Sequence, residues 1–259
     1  MDSDNKPFGT LNLKPTLDEQ SVHNIRKGTK QLRARLQLLR QLEGPRQETE
    51  QLRQAVKELA RLLAAQRDAD VMSGLLQELI TETEDLEVQQ LLAALRSELH
   101  GGDMPAGDVS RIHRLVREIE KNSPRLLQAR HSDAEISRVL DTRLAALCAA
   151  GRELLSGTDW EALHDWRKQV KKLMYQYQLK PMLSPKEYFV LESLDWLGSV
   201  LGSINDLCLL ERYILNHQSG ETRAHSLEVY ARTRDMVDGR RNRELANCHD
   251  VFGAISNLQ

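Results

Sequence analysis

Apolar residues recur every three to four positions along most of the chain, the spacing that gathers them on one face of an α-helix. The first such run carries Val22, Ile25, Leu32, Leu36 and Leu39. It is opened by Thr16-Leu-Asp-Glu19, which has the spacing of a capping box, and stopped by Gly44-Pro45, so a helix is expected over 16–43. The same period predicts helices over about 48–65, 68–81 and 86–99. A glycine-rich loop at 101–107 follows, and Asp108 is placed to cap a short helix that Ser123-Pro124 would end after about 121. Ser132 or Asp133 opens a long helix to about 155, and Thr158 or Asp159 caps another to about 179. Beyond Pro181 and Pro185 the pattern predicts a helix over 186–201 and two more from Asp206 to the end. No segment alternates with period two, so no strand is expected.

Composition sharpens this all-α expectation. Leu, Ala, Gln, Glu and Arg dominate, residues that lose little side-chain freedom in a helix, and only 4% of positions are aromatic. A chain of 259 residues can bury a full core, either as one large domain or as two compact halves. Residues 1–15, with Pro7, Gly9 and Pro15, form a loose leader too polar for a signal peptide, and no run approaches the ~20 apolar residues of a membrane span. Cys148, Cys208 and Cys248 are widely spaced and outside any C-x-x-C pattern, which suits a reducing cytoplasm and offers no zinc site. The formal charge of −2 means that any anion-binding site must be local. The acidic run Glu78, Glu82, Glu84, Asp85 and Glu87 reads as a solvated face in preference to a metal site.

Two helices share a layout. His23, Arg26, Lys27, Lys30 and Arg33 in the first match His164, Arg167, Lys168, Lys171 and Lys172 with Tyr175 in the second. In each, His at i is followed by Arg at i+3 and Lys at i+4 and i+7, which places all four on one face of the helix. Such a repeat at long separation points to duplication. No Asp or Glu lies between Gln20 and Leu42, or between Trp166 and Lys186, so neither ladder can neutralise itself by i,i+4 ion pairs. Unopposed cations of this kind call for an external anion, against the bland reading of an ordinary solvated face. Each ladder is followed at a similar distance by a matching segment, Arg67-Asp68 and Asn205-Asp206, which read as helix starts whose carboxylates cap or orient. Arg67 is counted with the binding set.

At these residues the chain resembles the conserved histidine α-helical domain family, CHAD. The family's two motifs run roughly H-x-x-R-x-x-x-[RK]-x-x-R and H-x-x-R-x-x-x-K-[RK]-x-x-Y. His23, Arg26, Lys30 and Arg33 carry the first, and His164, Arg167, Lys171, Lys172 and Tyr175 the second. The segment from Leu197-Gly198 to Asn205-Asp206 follows, and the resemblance extends over nearly the whole chain after Thr16. It implies two antiparallel helical bundles, related by a pseudo-twofold internal duplication around a central basic groove or pore, within one domain over 16–259 whose halves cover about 16–130 and 131–259. It also implies binding of inorganic polyphosphate without catalysis, cofactor or metal, and in some members association with polyphosphate granules. Gln31, Met174 and Ala64 depart from the pattern, while Lys27 and Lys168 at i+4 add cations to the same side.

Polyphosphate bears about one negative charge per internal unit, and cations repeating near the ~5.4 Å helical pitch can track it without reading a sequence. Arg26, Arg33 and Arg167 suit forked contacts to two oxygens, whereas Lys27, Lys30, Lys168, Lys171 and Lys172 act as point charges. His23 and His164 either donate to phosphate when protonated or serve as neutral packing residues, and Tyr175 either donates its hydroxyl or packs. Adventitious phosphate or sulfate would be drawn to the same stripe. The main alternative is an RNA-backbone module, for which stacking aromatics are too scarce. A phosphoanhydride-processing enzyme would need a phosphate-cradling glycine loop or a magnesium-binding carboxylate cluster, and neither motif is present in the sequence.

Overall fold

A computed structural model describes residues 17, 19–44, 46–99, 106–127, 131–157, 159–180, 182–220 and 226–256. Among them are nine helices and no strand. They are α1 (Glu19–Glu43), α2 (Gln47–Leu62), α3 (Ala64–Glu82), α4 (Leu86–Glu98) and α5 (Ala106–Leu127), then α6 (Asp133–Leu154), α7 (Trp160–Tyr177), α8 (Pro185–Gly220) and α9 (Leu227–Ser256).

Local chemistry sets most of the boundaries. Gly44 stops α1 in the left-handed conformation at φ 80°, its N–H bonded to the Arg40 carbonyl at 3.0 Å. Ser132 opens α6 with a complete capping box: its hydroxyl accepts the Glu135 N–H at 3.3 Å, while the Glu135 carboxylate accepts the Ser132 N–H at 3.0 Å. Ser184 does the same with Glu187 for α8, and Pro185 stands at the first helical position, where its missing N–H costs nothing. The box expected at Thr16 lies outside the described residues.

Two expected breaks are absent. Pro124 lies inside α5, which continues to Leu127; the proline removes one ladder N–H just before the helix ends, and the adjoining Ser123 is fully buried. Asp108 therefore sits within the first turn of α5 and does not precede it. The helix expected to end at 201 and restart at 206 is a single 36-residue α8. Gly202, Ser203, Asn205 and Asp206 look like punctuation in sequence. However, Val200, Leu201, Ile204, Leu207 and Leu210 keep the buried 3.6-residue stripe running through them. Asp206 is consequently mid-helix and accepts from the Asn205 amide at 3.2 Å instead of capping. Asp68 likewise falls inside α3, beyond its start.

The chain forms two compact units that interleave in sequence. Unit 1 comprises Met1–Ala65, Asp103–Ala149 and Lys168–Leu194; unit 2 comprises Gln66–Gly102, Ala150–Arg167 and Asp195–Gln259. In unit 1, Ile25, Leu32, Leu36 and Leu39 of α1 pack with Leu52, Val56 and Leu59 of α2 and Ile112, Val116 and Ile119 of α5. In unit 2, Leu76 and Leu79 of α3 join Leu91, Leu92 and Leu95 of α4, Leu207 and Ile214 of α8 and Val229 and Val237 of α9. Each buried leucine or isoleucine stabilises its unit by roughly 1.5–3 kcal/mol relative to exposure, so the first cluster sets where the basic face of α1 must point. None of the helices, over the described residues, is long and apolar enough to cross a membrane.

Candidate functional site

The apolar face of α1 is buried as its sequence requires, which leaves the other face outward. His23, Lys27, Lys30 and Arg33 are exposed on it. Arg26 is half-buried, and its Nη1 donates to the Leu63 carbonyl at 2.8 Å. Leu63 is the residue at which α2 ends, so Arg26 satisfies a helix-terminal carbonyl and gives part of its fork to the fold. Gly28, between the ladder positions, is buried.

The second ladder follows the same logic on α7. Asp159 caps the helix, accepting from the N–H groups of Glu161 and Ala162 at 3.1 and 3.0 Å. Leu163, Trp166, Val170, Leu173 and Tyr177 are all buried. Trp166 meets Phe252 of α9 edge-on at 5.5 Å, and Gly151 of α6 is small because a Cβ there would collide with both rings. The residues that face the other way divide between the units. His164 and Arg167 belong to unit 2; Lys168, Lys171, Lys172 and Tyr175 belong to unit 1.

In unit 2, Arg167 lies against Gly202 of α8. A Cβ at that position would stand 3.0 Å from Nη2 and 3.3 Å from Nε of the guanidinium, so the glycine is what admits the arginine so close to the α8 backbone. His164 is half-buried, with its Nδ1 buried and lacking a hydrogen-bond partner among the described residues.

In unit 1 the geometry gathers cations from three helices. Lys172 of α7 is half-buried, and its ammonium is pushed below the usual lysine range by burial, then by Arg143 of α6 and Arg33 of α1. No carboxylate is among those causes. Burial alone lowers Arg143 as well, and Arg35 of α1 in the same way. Arg143 is fixed by the fully buried Gln176: its Nη1 donates to Gln176 Oε1, and Gln176 Nε2 donates in turn to the Ala34 carbonyl of α1 at 3.1 Å. One neutral amide thus ties α6, α7 and α1 together behind the basic residues. Burial and like charge both act on Lys172, and among the described residues no carboxylate is a cause that offsets them.

Arg143 and Gln176 were not legible as site residues. Arg143 interrupts the buried stripe Leu140, Leu144 and Leu147, and a cation in an apolar stripe was the available signal. The side chains of Arg67 and Asp68 lie outside the described residues.

The C-terminal arginines behave differently. Arg240 of α9 pairs with Glu78 at 2.7 Å and Glu82 at 3.0 Å, and Arg232 pairs with Asp85 at 2.9 Å and with Glu87. Arg241 is buried, bonded to Glu211 and Asp238, with its guanidinium 4.6 Å from the Trp160 ring centroid. The acidic run is therefore not simply a solvated face: four of its carboxylates hold α9 to α3 and α4. No group of three or more His, Cys, Asp or Glu side chains able to hold a metal ion occurs among the described residues.

The model of the CHAD domain matches residues 12–215. The chain belongs to the CHAD-domain family. A solved structure of the CHAD domain from the plant Ricinus communis superposes with a TM-score of 0.65 over 93% of this chain and 83% of that one, at 18% identity. That likeness concerns the fold, and it extends past residue 215, where the family match ends. Comparison with curated proteins gives no match.

Proposed function

We propose that this CHAD domain holds inorganic polyphosphate, without catalysis, on the outward faces of α1 and α7. The observation that supports the reading is the group Arg33, Arg143 and Lys172. In unit 1 the half-buried Lys172 is acted on by burial and by repulsion from the half-buried Arg143 and the exposed Arg33. A folded protein keeps such an arrangement at a cost in stability, and a polyanion relieves it by supplying the missing charge. The exposed Lys27 and Lys30 extend the same stripe along α1, and His23, Arg26, Lys168, Lys171 and Tyr175 complete the set. In unit 2, Arg167 seated on Gly202 and the open Nδ1 of His164 offer further donors.

Regular spacing of cations suits a polymer whose repeat carries charge alone, and Tyr175 is a single aromatic in the set, too few to stack successive bases of a single strand. Association with polyphosphate granules in the cytoplasm is the cellular consequence of the same binding.

The deciding experiment measures binding of long-chain polyphosphate and of length-matched RNA over one salt series, using the protein and its Arg33→Glu/Lys172→Glu variant. Preference for polyphosphate at every salt concentration is expected, with the variant weaker by about a hundredfold, as the loss of two charge-assisted contacts implies. Equal affinity for RNA would replace this reading with a general phosphate-backbone module, and no binding would return both ladders to plain surface. Shortened chains after incubation with polyphosphate and Mg²⁺ would sink the non-catalytic part.

A further inference from the structure

Helix α5 carries a second set of cations that neither ladder uses. Ser110, His113, Arg114 and Arg117 stand at i, i+3, i+4 and i+7, one face of the helix, and together line a cavity of ≈ 340 Å³. Among the described residues no carboxylate lines it. His113 is half-buried, and its Nε2 is buried with no hydrogen-bond partner. Burial and then the charge of Arg117 hold its imidazole below the usual histidine range. Arg114 and Arg117 are exposed and form no ion pair among the described residues, whereas Arg111, on the neighbouring face of the same helix, is paired with Glu58. The helix therefore neutralises one arginine and leaves two beside an unpartnered imidazole.

The geometry points to a compact site on α5 for a phosphoryl dianion, a free phosphate or pyrophosphate or the terminal group of a phosphate chain, distinct from the α1 and α7 stripe. The two guanidinium forks each accommodate a pair of phosphoryl oxygens and the Ser110 hydroxyl donates to one of them, while the His113 ring forms part of the wall. A ladder suits the interior of a chain, where each unit carries one charge. Two forks and a hydroxyl around one small cavity suit a group that carries nearly two, as a terminal or free phosphate does at neutral pH. A lining without a carboxylate among the described residues distinguishes the site from an ordinary helix surface such as that of Arg111, whose guanidinium is already paired.

The inference stands apart from the polyphosphate reading and is tested separately. Orthophosphate and pyrophosphate are titrated into the full chain by calorimetry, beside its Arg114→Glu/Arg117→Glu variant and, as a charge-matched control outside both sites, its Lys57→Glu/Arg61→Glu variant on the exposed face of α2, with thermal melting as the check on folding. Saturable pyrophosphate binding is expected, weaker by at least tenfold in the α5 variant and little changed in the α2 variant. Polyphosphate with free ends, set against polyphosphate with chemically capped ends, identifies the source: an end-dependent component lost with Arg114 and Arg117 assigns the chain terminus, and its absence alongside pyrophosphate binding assigns the free ion. Equal loss in the α2 and α5 variants would reduce the effect to net charge and overturn the site, as would failure of both free ions and free ends to bind.

Discussion

Two groups of cations in this chain have opposite surroundings. Around the C-terminal half of α7, Lys172 shares its space with Arg143 and Arg33, and its ammonium is depressed by burial and by those neighbours. On α9, Arg232, Arg240 and Arg241 each meet carboxylates within ion-pair distance. Burial alone would lower Arg241, yet Glu211, Asp238 and Cys208 more than offset it and leave the guanidinium held above its usual range. The first arrangement sets like charges against one another under burial; in the second each cation already has its counter-charge. Counting basic residues in the sequence cannot separate them, because the difference lies in the partners.

Substitutions should therefore act in opposite directions in the two regions. The largest expected effect on stability is from Arg241→Ala, which strands Glu211 and Asp238. Urea unfolding should show a loss of about 2–3 kcal/mol, below the ~3–5 of a fully buried pair because both carboxylates keep some access to water. Polyphosphate affinity should hardly move; a tenfold loss would mean that α9 contributes to the site. Next comes Lys172→Met, which removes a half-buried cation without a counter-charge. Unfolding should show the protein more stable by about 1 kcal/mol, while polyphosphate binding falls about tenfold. Lower stability in that variant would mean that Lys172 has a structural partner and that the comparison fails. Smallest is Arg240→Ala, whose carboxylate partners are exposed. A cost of about 1 kcal/mol or less is expected, shrinking further as salt is raised in the same unfolding series.

Much of this molecule was legible before its structure. The apolar period placed α1 through α4, α6 and α7 to within a few residues, because each has a single buried stripe, and α4, α6 and α7 also have a cap written in their own residues, Asp85, Ser132 with Glu135, and Asp159. The ladder positions His23, Lys27, Lys30 and Arg33 could be assigned to an outward face once Ile25, Leu32 and Leu36 were assigned inward. Reading failed where a residue with a strong local preference served a distant neighbour. Gly202 resembles a helix end and instead makes room for the Arg167 guanidinium inside α8. Pro124 resembles a helix end and lies inside α5.

By itself, then, the sequence determined the fold class, the existence of two basic helices with long stretches free of Asp and Glu and the face on which each ladder lies, since periodicity and charge are properties of a helix taken alone. Tertiary structure decided which cations have counter-charges. It matched Glu78, Glu82, Asp85 and Glu87 to the arginines of α9, and it placed Arg143 beside Lys172, with Gln176 tying Arg143 to the Ala34 carbonyl. Electrostatic energy depends on distance and burial between residues far apart in the chain, and only folding sets those distances.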